Sequence, residues 1–198
     1  MFLLKPSQKR PIVTERLILR AAEDDDWKAY YGWFSSPEAM TYWSCAPHTT
    51  TEPSKNFVDS MIKSQFNGIY DFTVCLRDGA EPSHSRAIGK AGLYDGKEIG
   101  YILHPDYWGK GYAREALVAI LDRYFADITE VPQDTQPKEG EIVVNGKVKA
   151  DIDPRNAASI KLLTRLGFVE VGRAEKTFET HLGWCDSVYL ELSKPEAK

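Results

Sequence analysis

The stretch HPDYWGKGYAREAL, residues 104–117, places Gly109 and Gly111 one residue apart at the mouth of a helical pattern. Glycine costs about 1 kcal/mol against alanine inside a helix, so the pair needs a reason. The first backbone N–H groups of a helix lack an internal acceptor and sit at the positive end of its macrodipole. Glycines at that point let the oxygens of an anion reach the backbone. The turn reads as a phosphate cradle, although an isolated Gly-x-Gly also fits a turn shaped by dihedral needs alone. It is no Walker A loop, because Tyr112 and Ala113 follow the second glycine. A dinucleotide fingerprint requires a third glycine early in a parallel βαβ unit. Arg114 stands in that place, and a meander precedes the turn.

Outward from the turn, the N-terminal side gives a strand over 14–22 and a helix from DDDWKAYYGWF, with Asp24 as its expected cap and Trp27, Tyr30, Tyr31 and Phe34 on one face. A second helix is expected over 49–66, capped by Thr51, with Phe57, Met61 and Ile62 inward. Strands over 70–78, 86–94 and 97–105, separated by the loop DGAEPSHS (78–85) and the Asp95-Gly96 turn, suggest an antiparallel meander. On the C-terminal side, residues 111–125 carry Ala113, Ala116, Leu117, Ile120, Leu121 and Tyr124 on one face. The polar connection 126–146 is unusually long and reads as an excursion or short hairpin. A strand over 146–154, a helix over 156–168 ended by Gly167, and strands over 173–182 and 184–194 complete the chain. The order is α+β.

At 198 residues the chain is expected to form one domain over 1–198, with its core over about 12–192. A net charge of -4 argues against a general nucleic-acid binder. Cys45, Cys75 and Cys185 are odd in number and lack metal-ligand spacing. The opening apolar run is too brief for a signal peptide, and no stretch approaches membrane-spanning length. The expectation is a cytoplasmic protein with reduced cysteines, no metal and no membrane or nucleic-acid partner, as a monomer or homodimer.

EIGYILHPDYWGKGYAREAL resembles the acetyl-CoA-binding motif of the GNAT superfamily of N-acetyltransferases, Gln/Arg-x-x-Gly-x-Gly/Ala, from the glycine onward. TERLILR, the Tyr-Trp-Gly-Lys-Gly form and the later Asn-x-x-Ser…Leu-Gly-Phe resemble its RimJ/RimL-like branch, over about 12–192. The resemblance implies a mostly antiparallel mixed sheet of six to seven strands, flanked by about four helices and splayed between the fourth and fifth strands. It implies a pyrophosphate cradle from Gly109 through Lys110, Gly111, Tyr112 and Ala113 to Arg114. Trp108 occupies the Gln/Arg position, so the usual side-chain contribution there is replaced. Tyr101, Ile102 and Leu103 are expected along the pantetheine arm; their side chains equally suit a strand packed into a core.

Amine acetylation needs a neutral amine, a polarised thioester carbonyl and a proton for the leaving thiolate. The resemblance implies Glu98 as general base and Asn156 as a pantetheine contact, while an asparagine before a helix is also a good cap. The tyrosine that protonates the thiolate in other members is Leu163 here, and Ser159, one turn earlier, is the expected substitute. Tyr42 and Trp43, near His48, and Phe178 and Trp184, near His181, are expected to line the slot of a small or N-terminal amine. Each is also an ordinary packing residue. His104 is left unassigned, and Cys45 is not needed because direct transfer in a ternary complex is the family's usual route. An acetyl-CoA-dependent N-acetyltransferase is the leading reading. A non-catalytic acyl-CoA sensor is the alternative, since the cradle is kept while the helix tyrosine is lost. A nucleotide phosphotransferase lacks the Lys-Ser/Thr ending and an obvious magnesium site.

Overall fold

The computed structural model describes residues 1–4, 10–64, 70–77, 86–94, 97–138 and 141–195. The expected loop at 78–85 and the Asp95-Gly96 turn lie outside the described residues. In chain order the elements are β1 Phe2–Leu4, β2 Ile12–Val13, β3 Leu17–Arg20, α1 Trp27–Phe34, α2 Glu52–Ser64, β4 Tyr70–Leu76, β5 Ala87–Tyr94 and β6 Glu98–Leu103. There follow α3 Tyr112–Asp127, β7 Ile128–Glu130, β8 Ile142–Val144, β9 Lys147–Ile152, α4 Ala157–Arg165, β10 Val169–Thr180 and β11 Gly183–Ser193.

The main sheet runs β10-β11-β9-β6-β5-β4-β3-β2. All its neighbours are antiparallel except β6 and β9. Among the described residues it has eight strands where about six to seven were expected, because Ile12 and Val13 fold back onto Leu19 and Ile18 as a short edge strand. Strand alternation divides the core between the two faces. Ile99 and Leu103 of β6 join Leu117 and Ile120 of α3 and Leu163 of α4 on one side. Ile102 joins Tyr30, Trp33, Val58 and Met61 of α1 and α2 on the other. Glu98 and Gly100 share the pleat of Ile102, so they belong to the α1–α2 face.

Two local expectations shift. A 3₁₀ turn at Asp24–Asp26 precedes α1, with Glu23 rather than Asp24 as its cap. The reason is Arg20: its buried guanidinium binds Asp26 through two 2.7 Å hydrogen bonds, and Asp26 also accepts from the Glu23 amide. Strand β10 starts at Val169 instead of 173, directly after the α4 stop. That stop is as expected, with Gly167 at φ +94° and the Phe168 amide closing on the Leu163 carbonyl.

The 126–146 excursion becomes two strands of a separate three-stranded sheet, ordered β7-β1-β8. The N-terminal Phe2–Leu4 is its middle strand, with Leu4 opposite both Ile128 and Ile142. Leu4, Ile128 and Val144 are buried and extend the main core under the C-terminal end of α3.

Candidate active site

The site begins where two parallel strands part. Strands β6 and β9 meet at Glu98↔Lys149, where the Lys149 amide donates to the Lys97 carbonyl at 2.6 Å. Beyond that point no register pair joins them among the described residues. Each strand keeps its outer partner, β5 from Glu98 through Leu103 and β11 from Lys147 through Ile152. Pro105 and Pro154, which lack an N–H, follow the diverging ends. The inner edges of Tyr101, Ile102 and Leu103 and of β9 therefore face a gap. An unpaired strand edge is a template for an extended polar chain.

At the open end of the gap lies the glycine turn. The Trp108 indole donates to the Leu103 carbonyl at 2.8 Å, so it braces the turn against the end of β6 instead of serving as a charged motif side chain. Gly109 and Gly111 have φ of +71° and +82°, a region that favours glycine. Gly111 caps α3, and its carbonyl accepts the first helical bond from Glu115. A Cβ at Gly109 would meet nothing within 4 Å, and at Gly111 only the Arg16 guanidinium at 3.4 Å. Tyr112 and Ala113 are half-buried at the helix start and Arg114 is exposed. The first amides of α3 are thus open to an anion. Lys110 turns back, with Nζ on the Asp106 carbonyl at 2.7 Å.

Sequence reasoning missed the clamp on this turn. Arg16 binds Glu115 Oε2 at 2.7 Å and the Lys110 carbonyl at 2.9 Å, and stacks over Tyr112 at 4.7 Å. Glu115 also accepts from Thr14 Oγ1 at 2.6 Å and the Arg16 amide at 2.8 Å. Burial alone would raise the Glu115 carboxyl, but these bonds and the Arg16 charge together hold it below the ordinary glutamate range. The available signal was an acid in the first turn of an anion-binding helix, which calls for a cation without saying which one.

Across the gap, Asn156 caps α4, its Oδ1 accepting from the Ser159 amide at 3.1 Å. Asn156 therefore serves as the cap of α4. Ser159 is half-buried in the first turn, and Leu163 is buried in the core. Tyr101 reaches Ser159 from β6. Burial pushes its phenol up, and Ser159 opposes that shift. Glu98 is exposed at the closed end of the gap, on the α1–α2 face.

The expected acceptor residues separate into two groups. The Tyr42 hydroxyl donates to the Arg155 carbonyl at 3.2 Å, joining the segment after α1 to the β9–α4 turn. The Arg155 guanidinium reaches Cys185 Sγ at 3.2 Å and is paired with Asp153. Its hydrogen bonds hold the Asp153 carboxyl below the ordinary range. Phe178 is half-buried opposite Cys185, and Trp184 is exposed opposite Glu179. Tyr42 and Phe178 thus lie near the Arg155–Cys185 contact, which the sequence reading had not singled out, while Trp184, one residue before Cys185 on β11, belongs to the other face of the strand. Trp43 goes elsewhere: it packs on Phe34 at 5.9 Å between ring centroids and lies under Lys90. His48 likewise bonds Ser54 at 2.8 Å and packs on Phe34. Burial pushes the Cys45 thiol up, which makes it a poorer nucleophile.

A parallel strand pair that splays toward a glycine turn with open backbone amides suits an extended ligand ending in an anion. The chain belongs to the GNAT acetyltransferase family: the model described as "Acetyltransferase (GNAT) domain" matches residues 16–169. It is 27% identical over 184 residues to the uncharacterized N-acetyltransferase p20 of Bacillus licheniformis, covering 90% of this chain and 93% of that one. Its fold matches a GNAT-family acetyltransferase from Bacillus anthracis with a TM-score of 0.74 at 24% identity, over 94% of this chain and all of the other. It also matches a Vibrio cholerae spermidine N-acetyltransferase in complex with CoA and spermine, with a TM-score of 0.69 at 21% identity, over 91% and 97%. The matched family span starts at Arg16, so the Arg16–Glu115 pair lies within it while Thr14 stands two residues before it.

Proposed function

We propose that this chain transfers the acetyl group of acetyl-CoA directly to a primary amine in a ternary complex. The acceptor is a small metabolite, an amino acid, an antibiotic or a protein N-terminus, and the chain falls in the RimJ/RimL-like branch, as TERLILR and the Trp-Gly-Lys-Gly turn suggest. The observation that carries this reading is the gap that opens beyond Glu98↔Lys149 and ends at the left-handed Gly109–Gly111 turn. The α3 amides from Gly111 to Arg114 would hold the pyrophosphate, and the edge of Tyr101, Ile102 and Leu103 would pair with pantetheine. The CoA bound to the Vibrio cholerae relative supports that cofactor class.

Glu98 would take the proton that an ammonium must lose, since its pleat places it on the face opposite α3 and α4. Proton delivery to the leaving thiolate belongs to the other face, on the side of Ser159. Tyr42, Phe178 and Trp184 would flank the amine. Trp43 stands further back, under α1. Cys45, Cys75 and Cys185 form no disulfide among the described residues, which suits a cytoplasmic enzyme. We read the chain as one domain, monomeric or dimeric.

An acceptor screen by mass spectrometry with acetyl-CoA tests this. Acetylated product should form with at least one amine class. Glu98→Gln should lower kcat about a hundredfold and flatten the acid limb of the pH profile, and Ser159→Ala should lower kcat about tenfold. Tight CoA binding without turnover on any amine would instead support an acyl-CoA sensor. Full turnover by both variants at every pH would remove these two roles.

A further inference from the structure

Tyr101 stands on β6 at the point where β9 has already departed, with its ring packed against the core on the α3–α4 side. Its hydroxyl oxygen is buried. It lies beside Ser159 but completes no hydrogen bond with it or with any other described residue. The Ser159 backbone amide takes the Asn156 cap, and its half-buried hydroxyl lies beside the phenol. A buried hydroxyl without a partner is costly to maintain. A buried phenol in need of a partner, with a serine hydroxyl beside it where β6 and β9 separate, fits a polar atom arriving at the pair. Leu163, further along α4, is packed away in the core and contributes no polar group.

We propose that the Tyr101 phenol is the proton donor to the departing CoA thiolate, and that Ser159 is the residue that steadies the phenolate left behind. This rests on the acetyl-transfer reading and adds a catalytic residue to it. As the nitrogen–carbon bond forms and the carbon–sulfur bond breaks, the bonding pair moves to sulfur. The Tyr101 O–H proton passes to that sulfur, giving the CoA thiol and a phenolate. Ser159 donates its O–H to the phenolate, which then regains from solvent a proton equal to the one the amine gave up. A phenol, near 10, is far closer in acidity to a thiol, near 8.5, than an aliphatic alcohol is. Tyr101 is therefore the better matched of the two hydroxyls. No charged side chain acts on it. Burial keeps it protonated before the reaction, and Ser159 offsets part of that effect.

Tyr101→Phe removes the hydroxyl and keeps the ring, so the packing survives. The thiol of bound CoA is titrated through its thiolate ultraviolet absorbance in the native chain, in Tyr101→Phe and in Ser159→Ala. Losing a donor to a thiolate should raise the bound thiol by about one pH unit in Tyr101→Phe, with a smaller rise in Ser159→Ala. With the amine that turns over best, Tyr101→Phe should lower kcat about a hundredfold at unchanged acetyl-CoA affinity, and adding Ser159→Ala should cost nothing more. An unmoved thiol titration in Tyr101→Phe overturns the proposal, as does a parallel fall in kcat and CoA affinity. A native chain that binds no CoA overturns the acetyl-transfer reading itself, and this inference with it.

Discussion

At Gly111 the cost of a side chain is both conformational and functional. Its φ of +82° disfavours any L-residue, and a new Cβ would sit 3.4 Å from the Arg16 guanidinium at the entrance to the cradle. Gly111→Ala should lose about 1–2 kcal/mol of stability and weaken CoA binding about tenfold, read by thermal unfolding and calorimetry. Gly183 provides the control. It has φ +89° with open space around it, so Gly183→Ala should show a similar loss of stability with unchanged CoA affinity. Equal CoA affinity in the two variants would remove the cradle from Gly111. The need for glycine was readable from HPDYWGKGYAREAL, because a helix entrance seldom tolerates two glycines without a backbone reason. The role of Trp108 was not, since its partner is a carbonyl that becomes available only when β6 ends beside it.

Among the elements, the helix most exposed to a single interaction is α3, tied at its first turn to the strand segment around Arg16. Glu115 collects three bonds there, from Thr14 Oγ1, the Arg16 amide and the Arg16 guanidinium. Its folded carboxyl lies below the unfolded value of 4.5. The stability it adds is therefore present in full above that value and is lost as pH falls through the folded one. Glu115→Gln should be less stable by about 1 kcal/mol at neutral pH, a modest figure because Arg16 is half-exposed. The gap to the native chain should close below about pH 4, as followed by urea unfolding across pH. A gap that stays constant down to pH 3 would show that the clamp is not ionic. The helices themselves were legible from their 3.6-residue apolar spacing. The capping of the turn before α1 was displaced by one residue because Asp26 serves the buried Arg20.

Across the whole molecule, the N-terminal strand pairs with both strands of the excursion after α3. Leu4 is fully buried between Ile128 and Ile142. Leu4→Ala should cost about 2–5 kcal/mol and make the 128–144 segment the first site cut by a protease, with mass spectrometry locating the cuts. Cleavage first elsewhere would contradict that arrangement. Residues 1–4 and 126–146 could not be connected from the sequence, because such short apolar runs have no register until they pair with one another. The same limit applies to the site. Local pattern alone determined the meander, the helix stops, the family motif and the glycine turn, since apolar period, caps and backbone dihedrals act within a few residues. Tertiary structure decided which groups meet around the site: Arg16 with Glu115, Tyr42 with Arg155, and Tyr101 with Ser159. Each pair lies far apart in the chain, so its formation depends on how the sheet is ordered and where β6 and β9 separate.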